Sequence, residues 1–517
     1  DGILFKNPTK VADVFVYILV ILQIVAIAID SRIYKYWGFK IDREFFSYLR
    51  NPSDAAASVG SSDLLFFLFN VVLLLIPFWI YKRLINNQPR SKPKLTSLLI
   101  IIPLFVVARG GVGDSSMNQG RVYHSEKLFA NYSAINPVWN LVSSYTVDQA
   151  DLERYTWLKK EEVDELLNDS WSSDSINDWA ELIHRGSCKN MVFIMLESFS
   201  SNLSAVTPEL NYWKTKGINF ENHFSSGDRS AESLTTMFTG FPAFTLTDVL
   251  DDTKRLKKLP NLFKELNARG FHTSFTYGGD VRFANLKSLL LHSKFDEIYS
   301  KSVFDRNLNT SNWGVHDEHT FDFLYKEINS AKAPFASCLF TLSSHEPFEI
   351  PRYHQKDFTN AYLYSDSCLG DFMRKLSNSP IWDSTLVIVT ADHGTRLPHD
   401  YSVLDKEKFR TPLLICGGPV NSPKKFTHPV SQLGVAHLIN EVFQLRSQLD
   451  YGCSLLNESQ SVFYAYREGA GIVSSQCHQV FDVATNRKIN SSEPLGEAKV
   501  KAYLQRIAED MDELSRN

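Results

Sequence analysis

The sequence has no excess of either charge. In 517 residues, 54 Lys and Arg stand against 58 Asp and Glu, a net charge of −4. That balance excludes a strongly basic nucleic-acid binder and an acidic disordered chain, so no nucleic-acid partner is expected. No internal repeat or low-complexity tract is visible, which excludes a collagen-like chain. The six cysteines form no CxxC pair, so neither a dithiol redox motif nor a zinc ribbon is indicated. The opening residues lack the charged, apolar and cleavage regions of a signal peptide, and the first residue is Asp1, not Met. A fragment is the expectation, and loss of an even number of upstream helices would leave the topology below unchanged. What the sequence has is aromatic content, 13% with 36 Phe and 21 Tyr, too much for intrinsic disorder. At about 150 residues per domain, the length predicts about three structural regions.

The apolar residues are concentrated early. Val14 to Ile29 and Leu64 to Tyr81 are apolar all round, each near the ~17–25 residues that span a bilayer. A third stretch, Leu95 to Ala108, is shorter and carries Pro103; it reads as a third span, with a buried core helix as the alternative. Between the second and third stretches lie Lys82, Arg83, Arg90, Lys92 and Lys94 and no acid, so this loop is predicted to be cytoplasmic. Everything after Arg109 then lies outside, as does the loop from Asp30 to Asp63. All six cysteines fall in that outer part, where disulfides are chemically permitted. Cys338 and Cys416 sit in strand-like apolar runs and read as buried free thiols.

Four regions follow: a transmembrane helical domain over 1–108, an interfacial and helical linker over 109–189, a catalytic α/β domain over 190–480 and a helical tail over 481–517. In the third, the runs MVFIMLE, HTSFTY, FASCLFTL, STLVIVTA and TPLLIC are too short for helices and rich in β-branched and aromatic residues. Helical patterns lie between them, LPNLFKELNARG closing on Gly270. This alternation predicts a mostly parallel sheet with helices on both faces, where chemistry gathers at the carboxyl ends of strands.

At those ends stand Glu197-Ser198, Asp392-His393-Gly394, Tyr277-Gly278-Gly279-Asp280 and Ser343-Ser344-His345-Glu346. Glu197, Asp392 and His393 are hard oxygen and nitrogen ligands suited to Mn²⁺, Mg²⁺ or Zn²⁺. Singly, an acid at a strand end also serves to cap a helix, and a lone His is often structural. In GDRSAESLTTMFTG, Ser230 opens a helix whose free N–H groups and dipole favour a phosphoryl group. A serine there also serves as a plain N-cap. Coordination to a divalent cation would lower its pKa and make it a nucleophile. His345 is a candidate donor to a phosphoryl oxygen or a leaving group.

Taken together and in this order, MLES, GDRSAES, YGGD, SSHEPF and TADHG behind a helical membrane anchor resemble the lipoteichoic acid synthase family of membrane phosphoglycerol transferases, within the alkaline phosphatase and sulfatase superfamily. The loop DSRIYKYWGFKIDREFFSYL is similar to the outer loop of that family's membrane part. The resemblance implies a sulfatase-like fold and one divalent cation, Mn²⁺ or Mg²⁺, on Glu197, Ser230, Asp392 and His393, with the Ser230 hydroxyl as nucleophile where many members have Thr. It also implies five membrane helices, against three found. Members that hold the glycerol phosphate head group with a Trp and an Arg after the GD motif have no counterpart here, since VRFANL puts Ala284 and Leu286 in those places. Arg282 is the substitute, with Asp280 beside it. No C-x-P-x-R or S-x-P-x-R surrounds Ser230, which separates the chain from formylglycine sulfatases, and the Val-Pro-Cys-Met-like run of phosphoethanolamine transferases is absent.

The implied activity is transfer of a phosphoglycerol-type group from an anionic phospholipid, phosphatidylglycerol, to an envelope glycan or glycolipid, at the outer face of the cell membrane. The alternatives are a phosphodiesterase or phosphoethanolamine transferase of the same superfamily, and a catalytically silent lipid-binding regulator of the envelope.

Overall fold

A computed structural model of the chain describes residues 8–37, 61–86, 128–146, 152–171 and, with short omissions, 179–516, with a few isolated residues between. They fall into two compact units, one built from 1–55 and 59–148, the other from 56–58 and 149–517.

In the first unit, α1 (Pro8–Trp37) and α2 (Ser61–Asn86) contain windows of mean hydropathy 2.5 and 2.3. Their apolar side chains point outward: Phe15, Leu65 and Phe69 are 60%, 69% and 63% exposed. In water each would forfeit about 25 cal/mol for every Å² left unburied, so hydrocarbon is the solvent these surfaces suit. By length and composition both helices can cross a membrane. They pair as a hairpin, with Tyr17 edge-on to Phe78 at 5.7 Å at one end and an Arg32–Asp63 ion pair at the other. Beyond α1, Lys40 binds the buried Asp30 at 2.5 Å, and the Asn140 amide donates to the Ile41 carbonyl at 3.0 Å. Nearly all of the third apolar stretch, 95–108, lies outside the described residues.

The second unit is built on an eight-stranded sheet. Its strands are β1 (Asn190–Leu196), β2 (Ile218–Phe224), β3 (His272–Tyr277), β4 (Glu297–Tyr299), β5 (Phe335–Phe340), β6 (Thr385–Ala391), β7 (Arg410–Cys416) and β8 (Lys424–Ser431), in the order β4-β3-β5-β1-β6-β7-β2-β8. Strand β7 runs antiparallel to β6 and β2, and every other pairing is parallel. This is the mostly parallel sheet expected, with all five apolar runs as strands.

Every residue of β1 is buried, because helices cover both faces. Met191, Phe193 and Met195 pack with Leu234 and Phe238 of α3 (Ser230–Thr239). Val192, Ile194 and Leu196 pack on the other face with Leu369 and Phe372 of α4 (Phe358–Ser377). Gly270 terminates the helix Leu262–Ala268 at φ 86°, a left-handed turn that costs glycine nothing.

A second, antiparallel sheet is made of β9 (Val462–Tyr466), β10 (Gly469–Val473), β11 (His478–Asp482) and β12 (Arg487–Lys488). The amphipathic tail, α5 (Gly496–Arg516), packs here with Val500, Leu504 and Ile507 fully buried. Tyr503 lies flat on Phe463, ring centroids 4.6 Å apart, and its hydroxyl donates to the Ala243 carbonyl at 3.0 Å. The helix is therefore core. Leu504→Ala is expected to destabilise the domain by about 2–5 kcal/mol, the cost of a buried cavity, measured by chemical denaturation of the full chain.

All six cysteines are free, and Cys338 and Cys416 are buried as read from the sequence. Burial pushes the Cys188 thiol up to about 12, partly opposed by Arg185, so it is not a reactive thiolate at neutral pH.

Candidate active site

The carboxyl ends of β1 and β6 are adjacent in the sheet, which places Glu197 beside Asp392 and His393. One ligand atom from each of these three lies within 4.8 Å of the other two. Asp392 Oδ1 accepts from the backbone N–H groups of Ser198 and His393, both at 2.7 Å. Asp392 Oδ2 is buried and has no hydrogen-bond partner. His393 Nδ1–H donates to the Gly394 carbonyl at 2.8 Å, which leaves the lone pair of Nε2 facing Asp392 Oδ2 at 3.5 Å.

Burial, and then the neighbouring Asp392 carboxylate, push the Glu197 carboxyl well above its ordinary range. Two buried carboxylates beside an imidazole nitrogen, with one carboxylate oxygen lacking any donor, are the signature of a site for a cation. These residues fit a divalent metal ion. The orphaned Asp392 Oδ2 is the observation that decides it.

Ser230 approaches from the first turn of α3. Its Oγ donates to Glu197 Oε2 at 3.4 Å. The cap position itself belongs to Arg229, in extended backbone and without a side-chain cap bond, so the hydroxyl is directed at the carboxylate and not used as an N-cap. Ser230 therefore joins the cluster.

His345 stands in the turn after β5, the strand next to β1. Burial foremost lowers its pKa, helped by His393. Its Nδ1–H is bonded to the Glu346 carbonyl at 2.5 Å, and the Trp313 indole N–H donates to the same oxygen at 2.9 Å, with the two rings 4.4 Å apart. The lowered pKa favours the neutral ring, and with Nδ1 taken by the Glu346 carbonyl, Nε2 is the nitrogen left for proton transfer.

Asp280 and Arg282 lie one strand further out, at the end of β3, and bind each other. Arg282 Nε is 3.0 Å from Asp280 Oδ1, Nη2 is 2.5 Å from Oδ2, and Lys301 Nζ stands at 3.7 Å. Hydrogen bonds from Arg282 hold the Asp280 carboxyl down to about 2. The Arg282 side chain is 70% exposed, and this pair is not part of the carboxylate and imidazole cluster. Ala284 lies outside the described residues.

Several residues that hold the cluster carried no motif signal. Ser198, at φ 52°, places its N–H on Asp392 and its hydroxyl on Glu197 Oε1 at 2.7 Å. Glu197 N–H donates to Thr341 Oγ1 at 2.9 Å, Ser344 Oγ donates to the Glu197 carbonyl at 2.6 Å, and the Gln432 amide donates to the Asp392 carbonyl at 2.7 Å. The fully buried Asp317 receives the N–H groups of Leu342 and Ser343 at 2.8 and 3.1 Å and so anchors the turn carrying His345.

Residues 189–445 match the sulfatase family. This is a sulfatase-family domain. The chain is 21% identical over 506 residues to lipoteichoic acid synthase 1 of Bacillus subtilis, covering 88% of this chain and 77% of that protein. It is 24% identical over 302 residues to phosphoglycerol transferase I of Xanthomonas campestris, covering 52% of this chain and 43% of that one. With lipoteichoic acid synthase-like YvgJ of B. subtilis it shares 21% over 324 residues, 52% of that protein, so the chain spans about half the length of several relatives it matches. Among solved structures, an alkaline phosphatase superfamily protein of Vibrio parahaemolyticus superimposes with a TM-score of 0.61 at 23% identity, over 70% of this chain and 98% of that one. The sulfatase and alkaline phosphatase fold expected from the sequence is the fold observed. Members of this superfamily generally use a divalent metal.

If the cluster holds such an ion, Mn²⁺ at a hundredfold over its dissociation constant should stabilise the protein by about 2.7 kcal/mol. The gain should vanish with a chelator and in Asp392→Asn. Calorimetry with and without the ion reads it.

Proposed function

We propose that this chain is a membrane-anchored, metal-dependent transferase that moves a phosphoglycerol-type group from phosphatidylglycerol to an envelope glycan or glycolipid through a phosphoserine intermediate. The observation that carries the reading is the convergence of Glu197, Asp392 and His393 with a serine hydroxyl on the first turn of a helix. The names of the relatives, lipoteichoic acid synthase and phosphoglycerol transferase, support the group transferred. The two apolar helices support a lipid donor. The run Lys82, Arg83, Arg90, Lys92 and Lys94, without an acid, supports a cytoplasmic loop at the end of α2, from which a third span over 95–108 would carry the catalytic domain outside.

Glu197, Ser230, Asp392 and His393 would hold the cation, Mn²⁺ or Mg²⁺, which lowers the pKa of a coordinated hydroxyl and neutralises charge on the phosphoryl oxygens. Ser230 Oγ attacks phosphorus in line and the bond to the diacylglycerol oxygen breaks. The serine proton, which Glu197 Oε2 is placed to accept, leaves on diacylglycerol. The N-terminus of α3 favours the negative charge that gathers there. In the second half an acceptor hydroxyl attacks the phosphorus of the glycerophosphoryl-serine. His345 Nε2 takes its proton, which returns to Ser230 Oγ as that bond breaks. The cost of ordering is met in advance, because Trp313 and the Glu346 carbonyl fix the imidazole. We assign Asp280 and Arg282 to the donor head group.

Two outcomes are expected. Ser230→Ala should abolish transfer of label from glycerol-labelled phosphatidylglycerol to the acceptor, and the labelled glycerophosphoryl-serine adduct expected in wild type by mass spectrometry should be absent; retained turnover near wild type would overturn the mechanism. Label appearing as free glycerol phosphate would instead identify a phosphodiesterase. Arg282→Ala should raise the apparent KM for phosphatidylglycerol several-fold with little change in kcat, the pattern of lost uniform binding; unchanged constants would move head-group recognition elsewhere.

A further inference from the structure

Two residues before the nucleophile, Asp228 makes an ion pair that the chemistry above does not use. Lys408 Nζ lies 2.7 Å from Asp228 Oδ2, and the two side chains are only 8% and 9% exposed. Lys408 comes from the short helical turn Lys406–Phe409 that leads into β7. Taking an ammonium and a carboxylate out of water is costly, and an apolar pair of similar volume would often serve stability as well. A buried ion pair beside a nucleophile therefore asks for a reason other than stability.

The surroundings supply one. Residue 409 holds the segment leading to the nucleophile, because Ser225 N–H donates to the Phe409 carbonyl at 2.8 Å and Ser225 Oγ to the Gly227 carbonyl at the same distance. The cation-ligand segment rests on Lys408: a side chain at Gly394 would place its Cβ 2.1 Å from the Lys408 carbonyl oxygen, so only glycine permits this approach. The 408–409 backbone thus lies between the strand end that carries Asp392 and His393 and the loop that carries Ser230. Its one charged side chain is locked to Asp228.

We propose that Lys408 is a positioning residue for the reaction. Through Asp228 it fixes the loop 225–229, and with it the distance of the Ser230 hydroxyl from the carboxylates of Glu197 and Asp392. This rests on the reading of Ser230 as the nucleophile.

The test uses the full chain in detergent or nanodiscs with Mn²⁺, comparing wild type with Lys408→Met, Asp228→Asn, the double variant and Lys408→Arg. Thermal unfolding first confirms that each variant folds. The expected result is a fall in kcat of about 10–100-fold in each single variant, with KM and the apparent Mn²⁺ affinity within twofold of wild type. The double variant should be no worse than the singles, since both remove one contact, and Lys408→Arg should recover most of the loss. Turnover within twofold of wild type in folded Lys408→Met overturns the proposal. So do losses that multiply in the double variant, which would make Lys408 act directly on the substrate.

A second reading needs no substrate. Amide hydrogen exchange over 225–233 should quicken at least tenfold in Lys408→Met while exchange in β1 stays unchanged. Unaltered exchange over 225–233 also overturns the proposal. If wild type transfers no group from phosphatidylglycerol, the proposed function fails while this measurement still decides the positioning role.

Discussion

The architecture turns on two carboxylates that cannot coexist as charges without a third party. Glu197 and Asp392 end neighbouring central strands, both are buried, and Asp392 Oδ2 finds no donor in the protein. A packed interior tolerates such a pair only where a proton or a cation relieves it. The sheet order makes the pair unavoidable, since β1 and β6 are parallel neighbours in register from Asn190–Thr385 to Leu196–Ala391. The remaining parts of the site can be read as responses to that repulsion. Backbone donors turn Asp392 Oδ1 away, Ser198 holds Glu197 Oε1, and the Gly394 carbonyl fixes His393 so that its lone pair faces the gap.

Much of this was legible because a strand buried on both faces writes an apolar run followed by its functional residue. MVFIML then Glu197, and TLVIVTA then Asp392, could be read directly. Strand β2 could not, because INFENHF is interrupted by polar residues and β2 pairs irregularly, with register shifts against both β7 and β8. The small sheet escaped too: its strands are five residues or fewer, and Gly469 and Gly471 in β10 dilute any strand signal.

The supporting residues were silent for a different reason. Ser198, Thr341, Ser344 and Gln432 act through single hydrogen bonds to neighbouring backbone or carboxylate, a use that leaves no spacing pattern. Lys408 reads as one of many surface lysines until its burial is seen. His345 was found at its strand end, but its orientation depends on the Glu346 carbonyl and the Trp313 ring, which arrives from 32 residues earlier in the chain, a relation only the fold reveals.

The tail helix α5 carries a consequence for how the domain comes into being. Tyr503 bonds the carbonyl of Ala243, 260 residues earlier, and Ala243 in turn donates its N–H to Ser226 at 2.8 Å, in the segment that leads to Ser230. Ser226 also receives the N–H of Ala465 in β9, at 2.7 Å. The loop carrying Ser230 thus leans on elements that a ribosome makes long after it. Contacts so distant in sequence form late and slowly. A growing chain would therefore pass most of its synthesis with the Glu197, Ser230, Asp392 and His393 cluster unassembled, and the cluster would be complete only when α5 docks.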